Sequence, residues 1–243
     1  MERTLDIGAT LSEVFSTYRS QAGVLLPAAF WLFLVVAIID GLISTNLALV
    51  PIALAVSVIA ATLYQGMVVG LVRDVQEGRR DSSTGELMRS AVPVIGPLIG
   101  ASLLFALGVG IGFVLFVIPG LILLTIWYVF APVIVVERTG VLAAFGRSRA
   151  LVRGDGWRVF AAIFVVFMVT AIAGLLLSAI GASIASGAIV RIVFSAIAST
   201  LTAPIEALLA SVLYFRLRAI RDAAGPQGAD PGTPPAPPGP AAV

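Results

Sequence analysis

Polar residues in this chain come in short bunches, separated by long stretches without a charge. The charge-free stretches are 20–39, 41–72, 90–136, 159–190 and 192–205. A helix needs about 20 mostly apolar residues to cross a bilayer core. The stretch 90–136 would be about 70 Å long as one helix at ~1.5 Å per residue, so it must fold back. Pro119-Gly120 is the expected turning point, because proline suits a first helical turn. The pattern predicts six spans, at roughly 22–43, 48–72, 92–116, 119–136, 157–180 and 189–214. The expected fold class is all-α, a polytopic membrane bundle of six transmembrane helices with cytoplasmic amphipathic surface helices.

The surface helices are read from the polar bunches. Leu11, Val14, Phe15 and Tyr18 recur with the spacing of one helical face. Thr10 and Glu13 stand in the positions of a capping box. Ser83 and Glu86 repeat that pattern ahead of Leu87 and Met88. Val141, Phe145, Ser148 and Val152 line one side of a third segment, flanked by Arg147 and Arg153. Gly154 is placed to stop that helix, and Asp155 to cap the next span. The plan reads as three copies of surface helix, span and return span. At the interface these helices would offer arginine to anionic headgroups, or would simply cover the ends of the bundle.

Composition agrees with the pattern: 59% of the 243 residues are apolar and 12% charged. A soluble domain has roughly 45–50% apolar and about 25% charged residues. A soluble globule, a disordered chain and a nucleic-acid binder are excluded on that ground. All fifteen basic residues are arginine, and fourteen of them fall in the termini and alternate connections. The other connections, about 44–47, 117–118 and 181–188, carry no charge. Arginine-bearing loops stay cytoplasmic, which places both termini there, and the expected location is the bacterial inner membrane. Residues 1–20 are polar, so no cleavable signal is expected. Residues 221–243 are expected to form a disordered cytoplasmic tail, with seven prolines and four glycines between 225 and 243.

Little in the sequence points to chemistry. Cysteine and histidine are absent, which removes disulfides, thiolate sites and the commonest general base and metal ligand. No nucleophile–base pair and no phosphate-cradling glycine loop stand out, so no enzymatic activity, cofactor or metal is expected. The Gly66/Gly70, Gly96/Gly100 and Gly108/Gly112 pairs have close-packing spacing, but 24 glycines in 243 residues produce as many by chance. Charges inside the predicted spans are Asp40, Arg191 and Glu206. Such residues mark function by default. Asp40 and Arg191, both near the outer surface, would pair or reach headgroups separately. Glu206 is deeper, two residues past Pro204. It reads either as a proton- or cation-binding group, or as a structural partner of Gln65, Tyr64 or a hydroxyl of a neighbouring span.

Several motifs carry a resemblance. They are Pro119-Gly120, Trp127, Phe130-Ala131-Pro132, Val135-Val136-Glu137-Arg138, Ala144, Ser148, Leu151-Val152-Arg153-Gly154 and Trp157, with Leu213-Tyr214-Phe215-Arg216-Leu217-Arg218 and an opening Leu11 to Phe15 with Tyr18. Over residues 7–220 the chain resembles a six-span bacterial membrane domain, found fused to some glycerophosphodiester phosphodiesterases and alone in inner-membrane proteins. Phe215 departs from the polar or acidic residue expected there. The phosphodiesterase activity of fused members belongs to a separate barrel, which this chain has no room for. The resemblance implies a membrane module that gathers partners or lipids. Its candidate lipid-facing or motif residues are Phe15, Tyr18, Glu137, Arg138, Arg147, Ser148, Arg149, Arg153, Trp157 and Tyr214.

The expected function is therefore a non-enzymatic module that scaffolds proteins or organises lipid from the cytoplasmic face. The alternative is a small transporter of lipid or amphiphile that uses Glu206. Anionic membrane lipids, a membrane-protein partner or a second copy are the expected partners, and nucleic acid is not.

Overall fold

A computed structural model describes residues 4–43, 47–78, 92–184 and 187–223. The helices described are α1 (Ile7–Ile43), α2 (Val50–Gln76), α3 (Ile95–Leu115), α4 (Val117–Trp127), α5 (Phe130–Glu137), α6 (Val141–Val152), α7 (Gly156–Ile184) and α8 (Ala188–Ala223). Short 3-10 turns, Leu47–Leu49 and Val92–Val94, lead into α2 and α3. Counting α4 and α5 as one broken span, six helices are long and apolar enough to cross a membrane. The fold is a multi-pass membrane bundle, as the hydropathy pattern predicts. The second amphipathic segment, Ser83 to Met88, and most of the expected tail lie outside the described residues.

The first amphipathic segment differs from its expected form. It is helical, but it runs without a break into the first span, so α1 has 37 residues. α8 is similarly long, at 36 residues, which is about 54 Å at ~1.5 Å per residue. Neither helix has to stop at the membrane surface, because each supports the overhang of the other. They run antiparallel, with Tyr18 donating to the Leu201 carbonyl and Arg216 to the Glu13 carboxylate. At the far end Gly41 faces Ile192, and a Cβ on Gly41 would collide with that side chain. The start of α1 is also capped elsewhere than expected. The Asp6 carboxylate accepts from the Ala9 amide at 2.9 Å, so Asp6 is the N-cap. Thr10 and Glu13 lie inside the helix.

The third span turns back three residues earlier than predicted. Phe116, with φ −159° and ψ 148°, is extended between α3 and α4, and Pro119 falls in the first turn of α4. The two arms touch closely. A Cβ on Gly112 would lie 2.9 Å from the Gly120 Cα, and one on Gly108 would lie 2.6 Å from the Trp127 ring. The Gly108/Gly112 pair, which no statistic favoured, is therefore a contact face.

The bundle is tightest at the arginine-bearing end. Val14, Met67, Val68, Leu98, Ile134 and Leu151 are fully buried there with Leu208, Leu213 and Leu217 of the central helix α8. Towards the opposite end, Leu42, Val114, Leu175 and Ile189 are more than 70% exposed. Lipid tails are as apolar as these side chains, so the exposure is no defect in a bilayer.

Candidate functional site

Two groups of polar residues emerge from this packing. The first closes the arginine-bearing end. Glu137 ends α5, and both of its carboxylate oxygens accept from the Arg147 Nε at 3.1 Å. The Tyr214 hydroxyl donates to the same carboxylate at 3.0 Å and accepts from Arg218 at 3.3 Å. The chain passes from α5 towards α6 through Arg138 in the left-handed region, φ 51°. Arg216 bonds Glu13 at 2.7 Å and the Ala9 carbonyl at 3.1 Å. Asp155 accepts from the Leu5 amide and from Arg158, so its carboxylate binds the N-terminal segment while its backbone carbonyl starts α7. Arg221 reaches the Leu151 carbonyl.

These bonds sort the motif residues. Glu137, Arg147 and Tyr214 form one network, and Ser148 and Tyr18 serve backbone carbonyls. Arg138, Arg149 and Arg153 are exposed and make no ion pair among the described residues. Trp157, at the start of α7, is 78% exposed, and Leu142 of α6 is 76% exposed. Phe15 is also on the surface. The apolar stripe of α6 predicted from Val141, Phe145, Ser148 and Val152 faces the bundle, with Phe145, Ser148 and Val152 buried. It covers the bundle end, and only the Leu142 and Arg149 side of this helix is open.

The second group surrounds a cavity of about 300 Å³ midway along the bundle, open on the side where Ala61, Ala106 and Glu206 are exposed. Two weak points in the helices border it. The fourth span breaks at Tyr128 and Val129, between α4 and α5. Pro132 has no N–H for the Tyr128 carbonyl. The Ile126 carbonyl, also left without its helical donor, accepts instead from the buried Ser148 hydroxyl at 2.8 Å. In α8, Pro204 likewise removes the donor for the Thr200 carbonyl. The Leu201 carbonyl, one residue on, receives the Tyr18 hydroxyl at 3.4 Å.

Glu206, Gln65, Tyr64, Tyr128, Thr62 and Ser102 supply the polar lining. Thr62 and Ser102 bond each other at 2.9 Å, and the Tyr64 hydroxyl donates to the Leu25 carbonyl at 3.1 Å. Tyr64 is therefore not the partner of Glu206 that the sequence offered. Gln65 lines the same cavity, and its amide has no hydrogen bond among the described residues. Thr170 of α7 and the Tyr128 phenol stand close to the Glu206 carboxylate. Glu206 has no ion-pair partner among the described residues. Tyr128, Thr170 and Ser102 were not predicted as site residues. The only signal for Tyr128 was the proline four residues after it.

Asp40 and Arg191 do not meet. Each is exposed, and no salt bridge joins them among the described residues. Arg191 borders a cleft between α7 and α8 with Ser178, Ser195 and Ser199. Among the described residues no cluster of three acidic side chains is arranged to hold a metal ion. No protein-family model, curated protein or solved structure matches this chain.

Proposed function

We propose that the chain is a small carrier in the bacterial inner membrane that takes an amphiphile into its mid-bundle cavity and moves it across the bilayer. The sequence offered this as an alternative, and the cavity raises it to first place. One observation carries the reading: a carboxylate with no ion-pair partner and an amide with no hydrogen bond, among the described residues, face a space bordered by the break between α4 and α5 and by the proline-weakened turn of α8. Broken helices at mid-depth recur at transporter binding sites, because the freed backbone must line a cavity rather than face lipid. A volume near 300 Å³ suits a small organic molecule. The arginine-bearing end is read as cytoplasmic on the positive-inside rule. The resemblance to the six-span bacterial domain supports the location.

The test uses proteoliposomes loaded with single-chain fluorescent amphiphiles of positive, neutral and negative charge. Ala106→Trp fills the cavity wall, and Leu107→Trp, on the 60% exposed side of α3, is the control. Movement of at least one probe should fall several-fold in the first variant and stay unchanged in the second. If every probe crosses at the same rate with Ala106→Trp as with wild type, the cavity is not the route.

The scaffolding reading keeps one observation of its own. Arg138, Arg149 and Arg153 remain exposed, as do Trp157 and Leu142, a combination of residue types suited to an anionic membrane surface. Binding of anionic lipid there is compatible with carriage and does not require it.

A further inference from the structure

We propose that the mid-bundle cavity selects an organic cation, with Glu206 as its counter-charge and the surrounding rings as its cage. The assignment rests on the cavity being the working site, and it names the ligand class. Five aromatic side chains line the space: Phe33, Tyr64, Phe105, Tyr128 and Phe130. They come from α1, α2, α3, the break between α4 and α5, and α5 itself. Phe33 and Tyr64 meet edge to face at 5.6 Å, and Phe105 and Phe130 lie 5.2 Å apart. Among the described residues Glu206 is the only charged one of the lining, and no arginine is part of it.

Ring faces are negative, so a cage of them attracts a cation. A carboxylate within the same wall adds direct Coulomb attraction, and the low surrounding dielectric strengthens both effects. An anion would meet like charge with no cation to offset it. A metal ion is equally unsuited. Hard cations take six or more oxygen ligands, whereas this wall is mostly rings and methyl groups with one carboxylate. A diffuse charge on an apolar body loses little hydration on entering such a site, and that describes a quaternary onium or a protonated lipophilic amine. The Gln65 amide, without a partner of its own, is placed to accept a hydrogen bond from an ammonium proton through its carbonyl oxygen.

Tetraphenylphosphonium and tetraphenylborate have nearly the same shape and opposite charge, so the pair isolates sign from size. Equilibrium binding of radiolabelled tetraphenylphosphonium to the full chain in lipid nanodiscs should be saturable, and tetraphenylborate should neither bind saturably nor compete. Glu206→Gln should weaken the affinity on the order of a hundredfold, as expected for unit charges a few ångström apart near a protein surface. Phe105→Leu should weaken it about tenfold by removing one ring, while Arg149→Gln should leave it unchanged. Absence of saturable cation binding to folded wild type overturns the assignment, as does equal binding of the borate or affinity unaffected by Glu206→Gln. If Glu206→Gln is not monodisperse, Phe105→Leu decides: weaker binding supports the cage and unchanged binding refutes it. Cavity-dependent movement of a neutral amphiphile without phosphonium binding would remove the cation assignment and leave the carrier function standing. Phosphonium binding without any cavity-dependent movement would do the reverse.

Discussion

Ser148 holds together the broken fourth span, and removing its hydroxyl should show how much the break costs. Its side chain is fully buried, and Oγ lies 2.8 Å from the Ile126 carbonyl. In an unbroken helix that carbonyl would accept from the Phe130 amide. The break redirects Phe130 to begin a new helix, so the serine is the replacement donor. With Ser148→Ala this part-buried carbonyl loses its partner, which costs about 1–3 kcal/mol. A chain of this length loses about 2–4 °C of melting temperature per kcal/mol. The expected drop is therefore about 2–12 °C, with the soluble-protein conversion applied to detergent. Intrinsic fluorescence is a direct reporter, since Trp127 ends α4 and packs on Phe145 at 4.7 Å. Ser183→Ala is the matched control. Its exposed hydroxyl bonds the Ile180 carbonyl of its own helix, and such surface changes stay within about 0.5 kcal/mol. If Ser148→Ala melts with wild type, or Ser183→Ala drops as far, the hydroxyl is not what satisfies the break.

Two further outcomes follow from the arginine-bearing end. Tyr214→Phe removes the bond to Glu137 and the bond from Arg218, and should lower stability by about 1.5–3 kcal/mol, the range for hydrogen bonds to charged groups. Combined with Glu137→Gln in detergent unfolding, the two losses should fall well short of additive; full additivity would mean that the pair does not interact. For orientation, the absence of native cysteine makes single thiols informative. Gly187→Cys should react with an impermeant maleimide on intact cells and Gly78→Cys should not, and the opposite pattern would invert the proposed topology.

The spans were legible because a bilayer imposes a length and a polarity that a linear sequence displays directly. The face of α6 was legible for a similar reason: Phe145, Ser148 and Val152 fall on one side at helical spacing and are buried together. Cap and turn positions were less legible. Asp6 and Thr10 both stand near the start of α1 with suitable side chains, and which one caps depends on how the helix meets Asp155 and α8, a contact 150 residues away in sequence. The cavity was half legible. Glu206 and Gln65 stood out as polar residues in apolar runs. Tyr128 and Thr170 did not, because phenols and threonines are common in spans and only packing decides which ones face a shared space. The break at Tyr128 was hidden as well, since Pro132 marks a weakened helix without fixing whether it bends or parts.

Charge pairing at the arginine-bearing end sharpens the case for Glu206. Glu13 has Arg216, Glu77 has Arg73, Glu137 has Arg147, Asp155 has Arg158 and Asp222 has Arg218. Several of these pairs are partly exposed and add little stability individually, but together they leave those carboxylates with a structural role. Glu206 lines the cavity and is exposed; among the described residues it has no such partner, and an ionised group facing an apolar wall is costly. Folding alone does not favour an acid there. A glutamine has the same shape and a lower cost of burial, and it would bond Thr170 equally well. A carboxylate at that position, open to a cavity that five aromatic rings also line, fits the proposed role of meeting a charge that arrives and leaves better than a role in holding the fold together.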